Sequence, residues 1–83
     1  MNIPITDIIG KKVMHGSPGY DVPEIISEVI FTKDTVEIEF VTGCFTTMEP
    51  EEFEHFLRYE ELSYKEKHHG GMSYIVFCDN WKK

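Results

Sequence analysis

Carboxylates are the reactive side chains that crowd this sequence, and they crowd one part of it. Between Glu24 and Glu61 stand eleven acids against Lys33 and Arg58, a segment of charge −9, whereas the two ends together carry four acids and six lysines. Paired carboxylates can serve as acid and base, but such work needs one of them desolvated so that its pKa moves. Glutamates on the outward side of a solvated helix or strand do not meet that need. The adjacent histidines of "HHGG" (His68, His69) invite a metal reading, yet neighbouring side chains diverge and no second ligand cluster has the usual spacing. They read as a solvated loop. Cys44 with His15 or His55 has the composition of a nucleophile and base, but no local nucleophile signature surrounds it. Two cysteines, Cys44 and Cys78, make no disulfide framework and are expected to pack as small hydrophobes in a reduced cytoplasm. "GSPGYDVP" lacks the lysine and the following helix of a phosphate loop. No catalytic residue, metal or cofactor is expected, and the residues point away from an enzyme.

The elements that position the acids follow from turn chemistry and alternation. A chain of 83 residues, 41% hydrophobic and 13% aromatic, can bury one core, so residues 1–83 read as a single domain. The stretch "IIGKKVMH" predicts a turn and a short strand with Val13 and His15 on one face and Met14 on the other. "GSPGYDVP" predicts a loop, and "EIISEVIFT" a strand rich in β-branched residues. The pairs "KD" and "TG" each predict a two-residue hairpin loop flanking "TVEIEFV". That register sets Phe31 opposite Val36, Val29 opposite Ile38 and Phe40 opposite Phe45, with all six inward. Glu28, Glu37, Glu39 and Thr46 then face outward with Ile26, Ile30, Val41 and Cys44 among them, and Glu28 meets Glu39.

"EPEEFEHFLRYEEL" predicts a short amphipathic helix ending near Arg58 or Tyr59. Thr47 or Glu49 caps it, Pro50 suits its first turn, and Phe53, Phe56 and Leu57 form the apolar stripe. Glu51, Glu54, His55 and Arg58 point outward, with Glu54 and Arg58 spaced for a pair. "SYKEKHHGG" reads as a polar connection. "MSYIVFC" is the last strand, apolar on both faces, and so either covered on both sides or part of an interface. A homodimer through Tyr74–Cys78 is one expectation from that pattern. Trp81 is read as folding back over the end of the sheet rather than anchoring a partner.

Short antiparallel strands with tight turns and one helix before the last strand imply a mainly β (α+β) fold. The expected form is a small, strongly curved antiparallel sheet or barrel of about five strands. Here "IIGKKVMHGSPGYDVPEII…VEIEFVTGCFTTMEPEEFEHFL" resembles the bacterial SH3-like, Tudor-like small barrels found at helicase C-termini and in RNA-polymerase-binding factors. Gly10, Val13, His15 and Gly19 match the opening, and Ile38, Phe40 and Gly43 match a "V-x-F-x-x-G" turn. The resemblance covers roughly two-thirds of the chain. It departs in the longer, proline-richer loop and in the acidity. It implies a protein-binding barrel without catalysis and assigns no binding residue.

Net charge is −7, so direct nucleic-acid binding, which normally uses a basic face, is not expected. No apolar run spans a membrane, and the N-terminus has no secretory pattern, so a cytoplasmic protein is expected. An acid rim around apolar residues suits a basic protein surface, above all one made for nucleic acid. Glu28, Glu37, Glu39, Glu51 and Glu54 are the expected steering residues, with Ile30 and Tyr59 as buried contacts. Stand-alone acidic proteins of this length are typical of phage-encoded inhibitors of host defence (the anti-CRISPR type) or host polymerase, and of toxin-immunity proteins. That comparison rests on size and charge. Two further readings stand beside it. One is an oligomer that sequesters a nucleotide messenger at a seam gathering Lys11, Lys12, Lys65, Lys67, Lys82 and Lys83, and the other is a Tudor-like module in a larger complex.

Overall fold

The long β-branched run in the middle of the chain sets the architecture, because one strand from it serves both halves of the sheet. The computed structural model describes residues 7–17, 19–66 and 70–79. Within it run β1 (Lys12–Gly16), β2 (Val22–Phe31), β3 (Val36–Phe40), β4 (Phe45–Met48), α1 (Pro50–Tyr59), β5 (Glu61–Lys65) and β6 (Met72–Phe77). The strands form one open antiparallel sheet in the order β4-β3-β2-β1-β6-β5. The fold is therefore mainly β with one short helix. The described residues hold six strands rather than about five, and α1 precedes the last two of them rather than the last one. His68, His69 and Trp81 lie outside the described residues, as do Lys67, Lys82 and Lys83.

The β2–β3 hairpin turns on Lys33 and Asp34, with Thr32 and Thr35 bonded to each other at its neck. Phe31 pairs with Val36, Val29 with Ile38, and Glu28 with Glu39, as alternation predicts. Before this segment a bulge inserts Ser27, since Ile26 pairs with Phe40 and Glu28 with Glu39. The extra residue turns the first half of β2 over. Ile26, expected outward, is fully buried, and Glu24 is buried beside it. β2 also begins earlier than turn chemistry predicts, because Val22 and Pro23 pair with His15 and Met14 of β1.

The β3–β4 connection corrects the expected register. The Gly43 N–H bonds the Phe40 carbonyl, and the Phe40 N–H bonds the Cys44 carbonyl. Gly43 has φ +94°, a left-handed conformation that glycine adopts without steric penalty. This is a three-residue loop with a glycine bulge, not a two-residue loop at Thr42-Gly43. One added residue exchanges the faces of β4. Phe45 lies opposite Glu39 and faces outward, while Thr46, expected outward, is fully buried opposite Ile38. Cys44 and Cys78 are both exposed rather than packed, Cys44 because it sits at this turn and Cys78 because it follows the end of β6.

The segment read as a polar connection holds β5. Leu62, Tyr64 and Glu66 alternate inward, and Glu61, Ser63 and Lys65 outward, so half its polar residues are the solvated face of a strand. α1 matches the helical expectation closely. Glu52 accepts a hydrogen bond from the Glu49 N–H at the N-terminus, and Glu60 closes the C-terminus in the left-handed conformation. Its buried stripe is Phe53, Phe56 and Leu57. The Phe56 ring stacks on Phe77 of β6 at 4.4 Å, and Phe53 meets Phe31 edge-on at 5.7 Å. Emptying the fully buried Phe56 site costs roughly 3–5 kcal/mol for a Phe-to-Ala change.

Curvature is measured by the sheet's two edges. In a flat six-stranded sheet, edge strands stand roughly 24 Å apart. Here they touch. Thr46 of β4 bonds the Tyr64 hydroxyl of β5 at 2.5 Å and donates to the Glu66 carboxylate. The other Glu66 oxygen accepts from the Thr47 N–H at 2.9 Å and the Thr47 hydroxyl at 2.7 Å. The sheet is thus curled almost into a barrel, open at one seam that side chains bridge. α1 joins the same core, with Phe53 against Phe31 of β2 and Phe56 against Phe77 of β6.

Candidate functional site

Two groups of expected binding residues emerge, and they do not merge. Glu28 and Ile30 of β2 stand opposite Glu39 and Glu37 of β3, on the convex face away from the core. The outward residues of β4, Phe45 and Thr47, extend this face opposite Glu39 and Glu37. Ile30 is 36% exposed and Phe45 40% exposed, so an apolar centre lies among three carboxylates. The outward positions of the second half of β2, of β3 and of β4 include no lysine or arginine. Ser27 bonds the Glu39 carbonyl and fixes the backbone where the bulge enters this face.

The electrostatics of the face follow from that spacing. Glu37 and Glu39 are two residues apart on one strand, so their carboxylates share a side. The Glu39 carboxyl is held above its ordinary pKa, chiefly by a hydrogen bond with the Glu37 side chain. Partial burial and the Glu37 charge add to this. Glu28 faces Glu39 from β2, a like-charge pairing that disfavours the folded state mildly. The fold tolerates crowded negative charge here without a cation from its own outward residues.

The second group, Glu51, Glu54 and Tyr59, lines a cleft of about 250 Å³ on α1 with His55 and Arg58. Arg58 pairs with Glu54 at 3.5 Å, and the His55 and Tyr59 rings lie 4.6 Å apart. This face is therefore partly neutralised. The strand glutamates lie on the outer face of the sheet, and these residues on the solvent side of α1, opposite its buried stripe. A larger open cleft of about 570 Å³ runs between α1 and the β5–β6 edge, lined by Glu49, Glu51, Glu52, His55, Glu61, Leu62, Ser63 and Tyr74. The Tyr74 hydroxyl pKa is raised by burial and by the charge and hydrogen bond of Glu61.

Sequence reasoning missed Phe45 as the apolar neighbour of the acid face, because the two-residue loop turned it inward. It also missed the buried Thr46–Tyr64–Glu66 cluster. The period-two pattern of Leu62, Tyr64 and Glu66 is the signal that carries the latter. Burial pushes the Tyr64 pKa up, the Thr46 hydrogen bond opposes that shift, and the neighbouring Glu66 charge adds to it. The hydroxyl stays protonated and donates to Thr46, whose own proton goes to the carboxylate. These contacts hold the seam and leave no reactive group facing solvent.

Among the described residues, no cluster of three or more His, Cys, Asp or Glu has the geometry to hold a metal ion. No helix among them is long and apolar enough to cross a membrane. Compared with known proteins, the chain matches no family model, no curated protein and no solved structure.

Proposed function

We propose that this chain is a non-catalytic interaction protein whose convex β2–β3–β4 face docks on a basic protein surface made for nucleic acid, and masks it. The observation that carries this reading is the placement of Glu28, Glu37 and Glu39 around exposed Ile30 and Phe45, with no basic residue among the outward positions. A basic partner relieves the Glu37–Glu39 crowding, so binding gains where folding lost. The apolar centre supplies the desolvated contact and the acid sets encounter rate and salt dependence. The curled sheet with its plugging helix is read as an SH3-like or Tudor-like small barrel serving as a rigid platform. Its size and acidity favour a phage-encoded inhibitor acting in the bacterial cytoplasm on a defence or polymerase component, by analogy alone.

The cleft at the β5–β6 edge gives less support to the messenger-binding alternative. Four glutamates line it, and they oppose a phosphorylated ligand. The test is capture of partners from a bacterial lysate with wild type, Glu37→Lys/Glu39→Lys and Glu51→Lys/Glu54→Lys, with melting curves as folding controls. The expected result is one basic nucleic-acid-handling protein retained by wild type and by the helix variant, released by the strand variant, and eluted by moderate salt. Equal retention by all three, or no specific partner, reduces the acid to a solubility device and ends this reading.

A further inference from the structure

The sheet ends at β5, and the backbone of that strand is used on one side. The Phe77 N–H donates to the Glu60 carbonyl and the Glu66 N–H to the Gly71 carbonyl. In an antiparallel pair such bonds fall on every second residue, so Leu62 and Tyr64 also turn their backbone groups towards β6. Glu61, Ser63 and Lys65 turn theirs the other way, and among the described residues no strand pairs with β5 on that side. The bridge to β4 runs through the side chains of Tyr64 and Glu66 and takes none of these backbone groups. What this edge faces is the open cleft of about 570 Å³ beside α1, with Glu61, Leu62 and Ser63 as one wall and the first turns of the helix as the other.

An open strand edge accepts any extended chain, and here charge selects among them. Glu49, Glu51 and Glu52 line the helix side of the cleft and Glu61 the sheet side. Among the described residues that line it, His55 alone is a base. Glu49 and Glu52 are engaged in the cap of α1, and Glu61 accepts from the Tyr74 hydroxyl at 3.5 Å. A second copy of the chain, paired edge to edge, would bring another set of the same four glutamates into the groove, so the acid selects against it. It selects for a segment that carries lysine or arginine. Alternation places those residues. In an added strand, residues level with Glu61 and Ser63 share their outward side, and the residue between them lies beside Leu62, which is 7% exposed. Bases at the first positions and an apolar residue at the second suit both.

We propose that the β5 edge and the α1 wall of its cleft bind an extended basic segment of a partner protein, which joins the sheet as a further strand with lysine or arginine at alternate positions. In strand addition of this kind the backbone ladder supplies the hold and the flanking side chains supply the choice of sequence. The site is separate from the convex acidic face and does not depend on it.

The probe is a short end-capped peptide of alternating lysine and valine, titrated into the full chain and followed by amide NMR shifts and hydrogen exchange. The expected result is saturable binding, with shifts centred on Glu61 and Ser63 and slowed exchange at those two amides. Methylating the peptide nitrogens that would face β5 is expected to raise Kd roughly tenfold, because it removes ladder donors and leaves every charge in place. Glu51→Lys/Glu61→Lys, with melting curves as the folding control, is expected to raise it by a similar factor, and Glu37→Lys/Glu39→Lys to leave it within about twofold. Four results overturn the proposal: no saturation up to about millimolar peptide, equal binding of the methylated peptide, equal weakening by the two charge variants, or protection of the same amides on raising the protein concentration alone, which gives the edge to a second copy.

Discussion

The two outer faces of this sheet share a strand and have almost nothing else in common. Beyond Ser27, β2 presents Glu28 and Ile30 to a face of glutamates; before it, β2 presents Pro23 and Ile25 to a face of apolar residues. Each face is matched across strands to its own kind, Glu28 to Glu39 in one half and Pro23 to Met14 to Val76 in the other. Like-charge pairing costs stability and apolar pairing does not, so the acidic face is the one the fold does not need. One extra residue in one strand separates an acidic outer surface from an apolar one.

Breaking that separation has the largest expected effect. Deleting Ser27 removes the bulge and forces Glu24 and Ile26 outward, or Val29 and Phe31, since both sets cannot face the core in one register. The loss should exceed about 4 kcal/mol, and urea unfolding should show a chain with no cooperative transition. Next comes the seam that ties the acidic half to the apolar half. Glu66→Ala leaves the Thr46 hydroxyl and the Thr47 N–H without their acceptor. Glu66 is only 2% exposed, and the expected cost is about 2–3 kcal/mol, read as a lower urea midpoint.

A smaller effect sharpens the comparison through pH. The folded pKa of Glu39 lies above its unfolded value, chiefly through the Glu37 hydrogen bond, so the folded state holds that proton more tightly. Its contribution to stability is full below the ordinary carboxylate value and is lost as pH rises through that value to the raised one. Glu39→Gln should flatten this fall and raise Tm slightly at neutral pH, while weakening any partner that uses the face. Smallest of all, Arg58→Ala on the solvated helix should shift stability by no more than about 0.5 kcal/mol, within the error of a melting curve.

Much of the acidic face is legible in the sequence. "KD" fixed the β2–β3 register, and alternation then placed Glu28, Glu37 and Glu39 outward with Ile30. The helix was equally plain, because proline, glutamate and the 3.6-residue stripe all agree on it. What failed did so for countable reasons. Gly43 added a third residue to the β3–β4 loop, which exchanged Phe45 and Thr46, and Ser27 added one to β2, which turned Ile26 inward. β5 escaped notice because Tyr64 and Glu66 are polar residues facing inward, satisfied by Thr46 and Thr47 from far along the chain. A local pattern carries no trace of such partners. The division of the seven expected residues between a strand face and a helix face depends in the same way on long-range packing, that of α1 against Phe31 and Phe77.

The bridge between β4 and β5 has a consequence for how the molecule comes apart. Everywhere else in the sheet, neighbouring strands are held by backbone ladders, which give way only when a strand is lost. At the seam a carboxylate and three hydroxyl-bearing side chains stand in for a ladder, so the two edges can separate while every ladder stays intact. Opening there breaks no ladder, and it bares the core and two strand edges together. The Thr47 amide, bonded to Glu66 rather than to another strand, is where hydrogen exchange will register it first.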